Sequence, residues 1–102
     1  MPACYIVEQL HGPAYDPQRQ LREQAGWDLH AAFMDGLLEE GFVLLGGPVG
    51  SGEWEGAVLV VRAEDEAAVR ERLAEDPWHE SVLALASVRP WTIWLGTLPR
   101  AS

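Results

Sequence analysis

Gln24-Ala-Gly-Trp-Asp-Leu-His-Ala-Ala-Phe-Met-Asp-Gly-Leu-Leu-Glu-Glu40 is the stretch on which the fold turns. Its apolar residues recur with helical spacing, so positions 30, 33, 34, 37 and 38 share one side. These are His30, Phe33, Met34, Leu37 and Leu38, and one ionisable ring therefore lies in the stripe expected to face the core. Gly41 follows directly and predicts a left-handed helix stop. At the other end, Asp16-Pro17 reads as an N-cap followed by proline at the first helical position, while Gly26 weakens the first turns.

Outward from this helix the chain alternates between strand and helix signals. Cys4 to Leu10 reads as a strand, with Cys4, Ile6 and Glu8 on one face and Tyr5, Val7 and Gln9 on the other. His11 to Pro17 is a loop. Phe42 to Leu45 is a second strand running into a Gly46-Gly47-Pro48 turn. Trp54 to Val61 holds a third, and these two are expected to form a hairpin. Asp65 caps a second helix whose Val69 and Leu73 face the core, with Arg70 and Arg72 near its C-terminus as the macrodipole favours. Asp76-Pro77-Trp78 reads as another cap opening a short helix to about Leu85. Ser87 to Leu95 is the last strand, with Pro90 near its start pointing to an edge position or a bulge.

This order is a ferredoxin-like βαββαβ plan of the α+β class: an antiparallel four-stranded sheet with helices on one face. The 102 residues predict one domain, with its core from about residue 4 to residue 96 and a short C-terminal tail. The second and third strands are apolar on both faces, although a sheet covered on one side only is polar on the other. An open apolar face of that size needs a cover, and a two-fold homodimer, sheet against sheet, supplies one.

Composition removes several function classes. The net charge is −9, with arginines and no lysine, which disfavours nucleic acid and anionic membrane partners. No apolar run reaches the roughly 18 residues of a membrane span, and the N-terminus lacks a signal-peptide pattern. The single cysteine, Cys4, excludes an internal disulfide and fits a cytoplasmic setting. No nucleotide-binding glycine pattern, nucleophile elbow or Cys/His ligand set is present, so no cofactor or metal is expected. Pro2 would become a terminal secondary amine if Met1 were removed, a base used by tautomerases, which differ from this chain in plan.

His30 is then the residue with most chemistry to offer. It is either a core histidine bonded to a backbone carbonyl or a general base, and a base needs a group to orient its ring. Asp76 is one candidate, although Asp-Pro is equally a local cap. Asp28 and Asp35 are others, but they point off the apolar stripe.

The residues resemble the YCII-related (YciI-like) family of the dimeric α+β barrel group. The likeness is carried by His30-Ala-Ala-Phe33 with Leu37-Leu38 and Gly41, by Gly46-Gly47-Pro48, by the apolar third strand, by Asp76-Pro77-Trp78 and by Val88-Arg-Pro-Trp-Thr-Ile-Trp94. It departs from the family in having tryptophan rather than phenylalanine after Asp76-Pro77. The resemblance implies a ferredoxin-like fold that dimerises and a histidine and aspartate meeting in a pocket, here His30 and Asp76. It also implies acid/base chemistry on a small molecule, since a relative eliminates chloride from a chlorinated, hydroxylated aromatic ring. On that basis elimination, isomerisation or hydrolysis of a small cyclic or aromatic substrate is expected. Gly47 would shape the pocket wall, and Trp78 or Trp27 would stack on the substrate. A dimeric small-molecule-binding or accessory domain without catalysis is the alternative, and a structural subunit of a larger assembly a third.

Overall fold

The structure, a computed structural model, describes residues 3–50 and 55–96. Pro2, Trp54 and the tail beyond residue 96 lie outside these. Four strands, β1 (Ala3–His11), β2 (Val43–Val49), β3 (Gly56–Ala63) and β4 (Leu83–Pro90), form one sheet in the order β2-β3-β1-β4. All three pairings are antiparallel. Two helices, α1 (Trp27–Glu39) and α2 (Glu66–Leu73), complete the expected βαββαβ order.

Both helices cover the same face. Leu37 of α1 and Val69 and Leu73 of α2 share one buried cluster with Tyr5, Val7, Val43, Leu59, Val61 and Val88 from the four strands. Alternation along each strand produces this face, because every second side chain points to the helices. A second, smaller cluster is built on Trp78, Val82 and Leu83, with Tyr15, Leu21 and Trp27 packed on it.

The opposite face is apolar only in its middle. Ile6, Val58 and Val60 point that way, with Ile6 opposite Val60 and Val58 opposite Glu8 across β1 and β3. Toward β4 the face turns polar: Glu8 accepts hydrogen bonds from Ser87 Oγ at 3.2 Å and from Arg89 at 2.6 Å. Arg62 ends the apolar row on β3. The two-faced apolar character expected of the second and third strands thus holds for β3, with Val58 and Val60 on one face and Leu59 and Val61 on the other.

Several local expectations are met. Gly41 takes φ 78° and closes α1 through bonds from Gly41 N to Leu38 O and from Phe42 N to Leu37 O. Asp65 caps α2, its side chain accepting from Ala68 N at 2.8 Å. β2 and β3 pair as neighbours.

Four expectations are corrected. The first concerns Asp16-Pro17, which starts no helix. Asp16 instead accepts from Gln18 N at 2.9 Å, and the chain runs through one 3-10 turn, Leu21–Glu23, before Gly26 at φ 82° admits α1. The second concerns Gly46-Gly47-Pro48, which is not a turn but the interior of β2. β2 is an edge strand, where proline's missing N–H costs no ladder bond. The close approach at Gly46 is to the neighbouring strand: a Cβ there would meet Leu59 Cδ2 at 2.5 Å and Val58 O at 3.1 Å.

The third correction is at Asp76-Pro77-Trp78, where no helix forms. Bonds from His79 N to Asp76 O and from Ser81 N and Leu83 N to Trp78 O make a chain of turns, with Glu80 at φ 54° closing off any helical continuation. The fourth is the register of the last strand. β4 begins at Leu83 and ends at Pro90, so Pro90 stands at its finish. Trp91, Trp94 and Leu95 lie beyond β4 and are exposed. β4 is nonetheless the other edge of the sheet, as its proline led us to expect.

Candidate active site

Two of the corrected segments build the site. The turns after α2 bring Asp76 under α1, and Asp76 Oδ1 accepts from Trp78 N at 2.9 Å, fixing the carboxylate as the pivot of an Asx turn. Trp78 is then turned inward, 2% exposed, and its indole N–H donates to Ala25 O at 2.7 Å, just before α1. Gly26 is needed at this approach. It takes a positive φ, and a Cβ on it would stand 3.1 Å from the Trp78 indole nitrogen.

His30 meets this turn one helical turn into α1. Its Nδ1 lies 2.9 Å from each oxygen of Asp76, and the side chains are 12% and 2% exposed. A carboxylate only accepts, so the contact suits an Nδ1–H that donates to Asp76. The His30 ring also stacks on Trp78, with centroids 4.2 Å apart and planes within 9°. Trp27 tilts against both rings, at 5.9 Å from His30 and 5.8 Å from Trp78. The imidazole is thus held by a hydrogen bond at one edge and a stack on one face. Nε2 bonds to no protein group among the described residues.

His30 lines a cavity of about 380 Å3 between α1, β2 and β3, a volume suited to a small ligand. Trp27, Trp78, Met34 and Leu38 contribute to its walls, with Gly46, Gly47 and Pro48 along the β2 side. Leu38 therefore sits on the helical stripe but at the cavity mouth, half exposed, and not in the core. A wider depression of about 560 Å3 beside Cys4, Arg62 and Trp91 has no histidine or carboxylate among the described residues of its lining.

The residues singled out in the sequence fall as follows. His30 and Asp76, 46 positions apart, are in direct contact. Trp27, Trp78 and Gly47 border the same cavity. Trp78 is so enclosed that its ring serves as a floor under His30, whereas Trp27 is only partly buried. A Cβ at Gly47 would meet nothing within 4 Å. Asp28 makes no hydrogen bond or ion pair with His30, and Asp35 lines the cavity without bonding to that ring. Gln9 also lines the cavity. The sequence placed it on the face of Tyr5 and Val7, and an amide on an otherwise apolar face was the signal that it borders a site. His79 lies 4.0 Å from Glu80, and no group of three or more His, Cys, Asp or Glu side chains could hold a metal among the described residues.

Fold and site together define a small antiparallel α+β protein whose helix-covered face carries a contacting histidine–aspartate pair beside a partly open cavity. The chain belongs to the YCII-related domain family, whose model matches residues 12–92. No curated protein matches it in sequence. Among solved structures it is similar to the 5-chloro-2-hydroxyhydroquinone dehydrochlorinase of Burkholderia phenoliruptrix in complex with 2,5-dihydroxybenzoquinone. That match has a TM-score of 0.62 and 21% identity, covering 91% of this chain and 95% of the other. The likeness is one of fold.

Asp76 accepts bonds from two groups and is itself buried, so its removal leaves two donors without acceptors. Asp76→Ala is expected to lower the unfolding free energy in urea by about 2–4 kcal/mol, and Asp76→Asn, which keeps an acceptor for Trp78 N, by about 1 kcal/mol. Equal stabilities for Asp76→Ala and wild type would show that the pair does not hold the turn to α1.

Proposed function

We propose that this protein is an acid/base enzyme acting on a small, flat, oxygenated ring, with His30 as general base and Asp76 as the group that orients it. The carrying observation is the asymmetry of the imidazole. Nδ1 is committed to a buried carboxylate, while Nε2 has no protein partner among the described residues and the ring borders a cavity. In the neutral ring that leaves the Nε2 lone pair as the proton acceptor, and Asp76 stabilises the imidazolium that forms.

The step this arrangement suits is proton removal from a ring hydroxyl or ring carbon of the substrate. The freed electron pair moves into the ring. It then either expels an anion from a neighbouring carbon, giving elimination, or takes the proton back at another atom, giving isomerisation. Trp27 offers a ring face for a flat substrate, and the side-chain-free backbone at Gly47 leaves room beside it. The dehydrochlorinase of similar fold acts on a chlorinated hydroxyhydroquinone, and the family relation supports chemistry of this class.

A homodimer through the open sheet face belongs to the same reading, supported by Ile6 and Val58, apolar and only partly buried on that face. The cytoplasm is the setting that the lone free cysteine favours. No described helix is long and apolar enough to cross a membrane.

The reading is tested by assaying chlorinated and unchlorinated hydroxyhydroquinones with wild type, His30→Ala and Asp76→Asn. Turnover is expected to fall by about 100-fold or more in His30→Ala and by a similar order in Asp76→Asn, where the wrong tautomer becomes accessible. Equal turnover by His30→Ala would remove His30 from the mechanism, and tight binding without turnover would favour a binding domain. Sedimentation at micromolar concentration is expected to show a species of twice 11.3 kDa. A monomer there would sink the dimer.

A further inference from the structure

Three polar or charged residues are buried among the described part of the chain: Gln9, Gln24 and Asp76. Two of them are satisfied. The Gln24 amide accepts from Asp16 N and donates to Asp16 O and Arg19 O. Asp76 accepts from His30 and Trp78. Gln9 is different. It is 7% exposed, yet its side-chain amide bonds to none of the described residues. Buried amides are normally paired, and an apolar side chain would fill the same place without that cost.

Its position shows what the amide faces. Gln9 lies on β1 with Ala57 of β3 and Leu85 of β4 beside it in register, neither offering a side-chain polar group. The register of β1 against β4 shifts between Glu8 and Gln9, a bulge of the kind that re-aims side chains beside sites. Gln9 and His30 both line the 380 Å3 cavity, whose other walls near them are Met34, Leu59 and Leu83.

We infer that Gln9 is a specificity-determining residue of this cavity, its amide hydrogen-bonding one oxygen substituent of a ring whose other oxygen faces His30. This rests on the acid/base reading of the same site. An amide both donates and accepts, so it matches a hydroxyl or a carbonyl equally. Among the described residues no arginine lines the cavity, so none of them matches a phosphate or a carboxylate as a guanidinium would. The ligand class is thus a small uncharged or singly ionised ring carrying oxygen at two separated positions. A ring with one oxygen would satisfy His30 and leave Gln9 unpaired, which is how a built polar site rejects an analogue.

Calorimetric titration of 2,5-dihydroxybenzoquinone and of phenol into wild type, Gln9→Leu and His30→Ala tests this, together with thermal melting of the unliganded proteins. Gln9→Leu is expected to weaken the dihydroxybenzoquinone about tenfold or more, to change phenol by less than about twofold, and to melt no lower than wild type. Equal effects on both probes, unchanged affinity for the first, or a melting point lower by about 5 °C or more would overturn the assignment, the last by showing that the amide is structural. Gln9-dependent binding with no effect of His30→Ala on turnover would sink the catalytic reading and leave Gln9 standing. Binding of neither probe to wild type would remove the ligand class, and the assignment with it.

Discussion

The carboxylate of Asp76 is the constraint on which the site depends. A buried carboxylate is costly unless donors reach it, and here two do: a backbone N–H two residues on and the ring of His30 from another element. These bonds join the turns after α2 to the first part of α1. Trp78 adds to the joint, with its indole bonded to Ala25 O and its face under His30. The result is a small second core around Trp78, Val82 and Leu83, separate from the cluster between helices and sheet. The main core sets the fold, and the second core sets the position of one imidazole.

That division explains which parts were legible from sequence. Elements bound by periodicity were read correctly, because their burial follows from spacing alone: Leu37 on α1, Val69 and Leu73 on α2, and the alternation of Tyr5 and Val7 on β1. Segments governed by turn chemistry were not. Asp followed by Pro serves a helix cap and an Asx turn equally well, and sequence cannot choose between them. Val82-Leu-Ala-Leu-Ala86 carries good helix formers, but pairing with β1 overrides that preference from Leu83 on. The aromatic run from Trp91 to Trp94 read as strand, yet it lies past the end of β4.

The pairing of His30 with Asp76 was legible only in part. Helical spacing placed the histidine on the inner face and turned Asp28 and Asp35 off it, whereas Asp76 read equally well as a local cap. Family resemblance made that choice, and the 2.9 Å contact is its physical content. Gln9 was visible as a polar residue on an apolar face, but its meaning depends on knowing that no neighbour satisfies it. A fold of this kind hosts many functions, so the functional argument rests on these side chains and not on the sheet they stand on.

The central claim is that Asp76 holds the proton on Nδ1 of His30 and leaves Nε2 as the free base. Nitrogen-15 NMR of the histidine rings, followed across a pH titration and compared with Asp76→Asn, tests it most directly. In the neutral form the account predicts a protonated, pyrrole-type Nδ1 and a pyridine-type Nε2 for His30, with that preference lost in Asp76→Asn. A pyridine-type Nδ1 with the proton on Nε2, or an identical tautomer in the variant, would contradict it.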